Sequence, residues 1–83
     1  MMIEHHDLHH EFPDMGPQIR ELKMKDRHFA RLFDEYHDVD REVRKIEEQV
    51  EAASDERLEE LKLRRLHLKD ELYGMLKQLV AEA

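Results

Sequence analysis

The chain has 83 residues, 14 of them Lys or Arg and 21 Asp or Glu, giving a net charge of −7 and a charged share of 42%. This length limits it to one small domain, the absence of Cys excludes disulfides and thiolate metal sites, and the acidic balance disfavours strong nonspecific binding to nucleic-acid phosphates. High charge with 40% hydrophobic residues would suit a disordered chain, but only 2 Gly and 2 Pro amid abundant Leu, Glu, Lys, Arg and Ala select long helices, where a narrow apolar seam serves two polar faces.

Residues 1–13 read as a flexible lead rich in His, with no basic region followed by an apolar run. No apolar stretch approaches the roughly 18 residues that span a bilayer. The expectation is a cytoplasmic protein without a membrane partner. Pro13, Gly16 and Pro17 then mark the start of a short helix over about 14–24, since Pro is tolerated in a first turn.

From Leu22 a heptad pattern holds. Leu22, Phe29, Tyr36, Val43 and Val50 are seven apart, with Leu32, Val39 and Ile46 interleaved, which is the signature of a coiled-coil seam. Lys25 interrupts it and Asp26 follows. An Asp carboxylate accepts the free N–H groups of a first turn, so a break at Asp26 and a long helix over about 27–51 are predicted. Ser54 is the single Ser in a chain without Thr or Asn, and Asp55 and Glu56 follow it. That is an N-cap with charges suited to the positive helix end, and it starts a second long helix over about 55–81.

This second helix carries Leu58, Leu61, Leu68, Leu72, Met75 and Leu79 on one seam, interrupted by Arg65. Leu63, Leu66, Tyr73, Leu76 and Val80 fall off that seam, which is more apolar surface than one partner helix needs. Gly74 lies inside the helix, where it costs about 1 kcal/mol relative to Ala. Close approach of another helix is one reason to keep it.

A short connection folds the long helices back on each other. The predicted fold is therefore all-α: an antiparallel two-helix hairpin, coiled-coil-like, with a short additional N-terminal helix, over residues 14–83. Charge supports this direction. Residues 34–56 sum to −7, while Lys62, Arg64, Arg65 and Lys69 form the densest basic run, so the acidic helix faces the basic one. Individually weak, such pairs select orientation and register.

Several blocks resemble the YdcH-like family of small bacterial proteins. They are Phe12-Pro13, then Ile19 with Leu22-Lys23, then Asp26-x-His28-Phe29-Ala30-Arg31-Leu32-Phe33-Asp34-Glu35-Tyr36-His37, then Val39-Asp40-x-Glu42-Val43 with Ile46-Glu47. Ser54-Asp55, Leu61-Lys62, Arg65-Leu66 and Leu68-Lys69-Asp70-Glu71-Leu72-Tyr73 fit as well, so the likeness spans about residues 4–77. The resemblance implies a bacterial cytoplasmic helical hairpin, a domain of unknown function, and no catalytic residue to carry over. It also implies that the N-terminal His cluster is native.

Candidate chemistry is sparse. His5, His6, His9 and His10 have the i,i+4 spacing that binds Zn, Ni or Cu if helical, with a solvated terminus as the bland alternative. His28, His37 and His67 read as capping or salt-bridge groups on charged faces. Nucleophilic catalysis needs an activated Ser, Cys, Thr or Lys beside a base, and the single Ser is a cap, so no enzyme, cofactor or small-molecule substrate is expected. Phe29, Leu32, Phe33, Tyr36, Leu66 and Leu76 are the candidates for a partner-binding surface. Residues 14–24 either fold across the aromatic patch or leave it open as a groove.

Two helices bury little, and a chain of this size without disulfides commonly relies on oligomerisation. The leading expectation is a protein-interaction or adaptor module that self-associates, as a dimer, through its apolar seam. The alternative is a nucleic-acid-associated factor using Arg64, Arg65 and Lys69.

Overall fold

The computed structural model of the chain describes residues 8–82, apart from the side chains of His9 and His10. Every regular element among them is helical: α1 (Leu8–Glu11), a 3-10 turn (Pro13–Met15), α2 (Gly16–Lys25), α3 (Arg27–Glu47) and α4 (Asp55–Glu82). The fold is all-α. No helix among the described residues is long and apolar enough to cross a membrane.

Local chemistry sets the boundaries. Asp26 is the whole joint between α2 and α3: its N–H donates to the Leu22 carbonyl, closing α2. Its Oδ1 then accepts from His28 N–H at 2.9 Å and Phe29 N–H at 3.1 Å, opening α3. Ser54 Oγ likewise accepts Arg57 N–H at 3.1 Å and starts α4, with Asp55 and Glu56 in the positive first turn.

The end of α3 departs from expectation. The helix stops at Glu47, four residues short of the predicted 51, because Gln49 adopts the left-handed conformation with φ 62°. Gln49 N–H donates to the Ile46 carbonyl at 3.1 Å and Val50 N–H to the Lys45 carbonyl at 2.9 Å. Together they form a Schellman closure, with Gln where Gly is usual. Val50 therefore leaves the seam and stands 74% exposed.

Ion pairs tie α3 to α4: Glu47 with Lys62, Asp40 with Arg65, and Glu35 with Arg64. Between the helices lies a core of Phe29, Leu32, Tyr36, Val39 and Val43 against Leu61, Leu68, Leu72 and Leu76, all buried. Ile19 and Leu22 of α2 join the same cluster. The short helix therefore lies across the aromatic end and closes it. Of the two arrangements open to residues 14–24, this is the closed one, and no groove is left there.

The part of the predicted lead that is described is not a lead. Leu8 is fully buried, and its N–H donates to His37 Nε2 at 3.2 Å. Phe12 stacks on Tyr73 with ring centroids 5.0 Å apart, and Glu11 pairs with Lys69 at 3.8 Å. A single turn thus ties the start of the described chain to both α3 and α4. The cause is a seam hidden by punctuation. Leu8, Phe12, Met15, Ile19 and Leu22 keep alternating four- and three-residue spacing through Pro13, Gly16 and Pro17, and all five are buried or half-buried in the core cluster.

Candidate interaction surface

The basic run is occupied from within. Arg64 Nη2 donates to Glu35 Oε2 at 3.1 Å, Lys62 lies 3.5 Å from Glu47, and Lys69 pairs with Glu11. Arg65 goes deepest. Its Nη1 donates at 2.9 Å to Oδ1 of Asp40, whose side chain is only 2% exposed, and Arg44 Nε approaches the other carboxylate oxygen at 3.5 Å. Arg65 breaks the apolar seam of α4 because its partner is a carboxylate buried in α3. The three nucleic-acid candidates Arg64, Arg65 and Lys69 are therefore split, Arg64 on one flank of the α3–α4 contact and Arg65 and Lys69 on the other, each facing an acid of the same chain.

His37 is a second internal node, not a residue of a charged face. With Nε2 accepting the Leu8 N–H, the ring proton sits on Nδ1, which donates to the Phe33 carbonyl at 2.9 Å. The imidazole packs against Phe33, with centroids 4.3 Å apart, and edge-on against Tyr36. It fixes the N-terminal turn and offers no free nitrogen for chemistry. His28 contributes its backbone N–H to the Asp26 cap, and His67 is exposed.

Most partner-surface candidates prove to be core. Phe29, Leu32, Tyr36 and Leu76 are buried because α2 lies across the aromatic end as a third wall, one of the two arrangements open to residues 14–24. Leu76, assigned off the seam, is fully buried by the widened stripe. Phe33 is half-buried, with Lys23 Nζ 4.1 Å above its ring. Of the six, Leu66 alone is exposed.

What remains open is the face of α4 turned away from α3, its outer face, whose edge borders the N-terminal turn where Tyr73 stacks on Phe12 and borders α2 near Val80. Leu63 (55% exposed), Leu66 (46%), Tyr73 (39%) and Val80 (47%) lie along it, with Leu66, Tyr73 and Val80 seven residues apart. Asp70, Gly74, Lys77 and Ala81 share this side and are exposed. Leu63, Tyr73 and Val80 belong to the apolar surplus of α4 and were not among the six partner-surface candidates. Their heptad spacing was the available signal.

Electrostatics outside this face are modest. In the connection between α3 and α4 the Glu51 carboxyl is held above the ordinary carboxylate range, first by its hydrogen bond to the Glu42 carboxyl and then by the Glu42 charge. Among the described residues no group of three or more His, Asp and Glu has the arrangement to hold a metal ion. The metal candidates His5 and His6 lie outside the described residues, as do the side chains of His9 and His10.

No curated protein and no solved structure matches the chain. Residues 29–76, from the aromatic start of α3 through Leu76, match a family described as "Protein of unknown function (DUF465)". That match covers more than half of the chain and most of both long helices, so this chain belongs to the DUF465 family of proteins of unknown function.

Proposed function

We propose that the chain is a protein-interaction module, an adaptor without a reaction of its own, built as a coiled-coil-like antiparallel hairpin with α2 as its additional short helix. It self-associates and engages protein through the outer face of α4. One contrast carries this reading: every candidate cation of the basic run faces an internal acid, whereas Leu63, Leu66, Tyr73 and Val80 stand exposed in a row. A heptad-spaced apolar row on a charged helix is the arrangement by which helices recognise helices. Nucleic-acid binding through Arg64, Arg65 and Lys69 has less support, since phosphate would have to displace Glu35, Asp40 and Glu11.

The test is affinity capture of tagged protein from native cells, after nuclease treatment, with the wild type and a Leu66→Gln/Val80→Gln variant. Protein retained by the wild type and lost by the variant is expected. Recovery of nucleic acid alone, abolished by Arg64→Glu, would overturn the reading in favour of the alternative.

A further inference from the structure

The outer face of α4 is not only apolar; its polar residues are arranged symmetrically in reverse. Tyr73 and Gly74 sit at the middle, with Asp70 a turn before and Lys77 a turn after. Reversing the helix about the point between Tyr73 and Gly74 places Asp70 against Lys77, Tyr73 against Gly74, Leu66 against Ala81 and His67 against Val80. Opposite charge then meets opposite charge, and a large side chain meets a small one at two levels, Tyr73 with Gly74 and Leu66 with Ala81. A surface complementary to its own reversed copy is the condition for a two-fold interface.

Three observations about the single chain support this occupant over another protein. Asp70 forms no ion pair among the described residues, although the four cations of the basic run all do. Gly74 has nothing within 4 Å of where a Cβ would stand, so no packing inside the chain requires it. A glycine at an exposed helix midpoint weakens the helix, and close approach of a second helix gives it a use. Tyr73 is already positioned, its ring stacked on Phe12 at 5.0 Å and overlain by Lys77 Nζ at 5.5 Å.

We infer that two copies of this chain pair antiparallel through the outer faces of α4, crossing at Tyr73 and Gly74, with Asp70 of each copy against Lys77 of the other. The inference rests on the proposed interaction role of this face and names its partner. One helix face per copy is a small interface, so the association is of micromolar rather than nanomolar strength.

Sedimentation equilibrium on the full chain tests it, using wild type, Asp70→Lys, Lys77→Asp and the double exchange. All the changed residues are exposed, and circular dichroism on each variant verifies that helix content is retained. The wild type is expected to dimerise. Each single reversal places like charges together twice per dimer and raises the dissociation constant by more than about tenfold. The double exchange restores the wild-type value. Gly74→Leu weakens the dimer while leaving helix content intact or higher. A wild type that stays monomeric at tens of micromolar, or single reversals without effect, would overturn the pairing. If that happens while Leu66→Gln/Val80→Gln still releases captured protein, this face serves a different partner and the interaction role stands. If neither changes, both fall.

Discussion

Replacing Arg65 with Leu should destabilise the fold far more than a surface ion pair would suggest. Asp40 keeps 2% of its side-chain exposure, and Arg65 supplies its 2.9 Å hydrogen bond. Removing the cation leaves a carboxylate inside the α3–α4 interface with only Arg44, 3.5 Å from the other oxygen. Breaking a buried pair from one side costs about 3–5 kcal/mol, and the remaining arginine places this case near about 3 kcal/mol. For a domain of this size, that lowers the melting temperature by about 12 °C or more. Removing both charges, as Asp40→Leu/Arg65→Leu, should return most of the loss, because apolar replacements of a buried pair are often neutral or better. Arg44 is 24% exposed and can turn to water. Urea denaturation followed by far-ultraviolet circular dichroism, at one fixed protein concentration, measures the cycle. A single variant costing less than about 1 kcal/mol, the range of exposed pairs, would refute the reasoning. So would a double variant as unstable as the two single changes added together.

Three further perturbations bear on other parts of the molecule. Glu51 binds its proton more tightly in the folded chain than in the unfolded one, so just above the ordinary carboxylate value stability falls as pH rises. Glu51→Gln should therefore raise the melting temperature at neutral pH, with the gain fading as acid protonates the pair; a gain undiminished in acid would contradict this. Gln49→Gly removes a side chain from a left-handed backbone and should stabilise by about 0.5–1 kcal/mol in the same urea assay, whereas a loss would argue against the Schellman closure. His37→Phe leaves the Leu8 N–H without its acceptor, costing about 1–2 kcal/mol and speeding hydrogen exchange at that amide; unchanged exchange would show that the N-terminal turn is held by other contacts.

The long helices were readable because caps and heptads are local. Asp26 and Ser54 announce their helix starts by residue type alone, and the α3 seam from Phe29 to Val43 needs only period counting. What escaped was non-local or masked. The α3 stop at Glu47 turns on a Gln in a conformation that composition assigns to Gly. The N-terminal turn was obscured by Pro13, Gly16 and Pro17, although Leu8, Phe12 and Met15 kept the spacing of the seam. Arg65 looked like a flaw in α4 until Asp40 was placed opposite it. The candidate surface suffered most: Phe29, Leu32 and Tyr36 lay on a seam whose aromatic end residues 14–24 could close or leave bare, Leu76 counted as surplus, and with α2 closing that end all four are core. Only after α2 and α3 had taken their faces of α4 did the remaining one, from Leu63 to Val80, stand out as exposed, with Phe12 meeting its edge at Tyr73.

In the proposed role, the charges of this chain organise its own fold while the outer face of α4 is left to meet protein, a second copy first of all. Disulfide trapping tests it most directly, since the chain has no cysteine of its own. Gly74→Cys places a single thiol where two antiparallel α4 helices would cross, and Arg57→Cys places one near the far end of the helix. The account predicts that under mild oxidation the position 74 variant forms a covalent dimer much faster than the position 57 variant, and that high protein dilution slows it. Equal rates at the two positions would contradict it, because they would mark collision and not a preferred pairing.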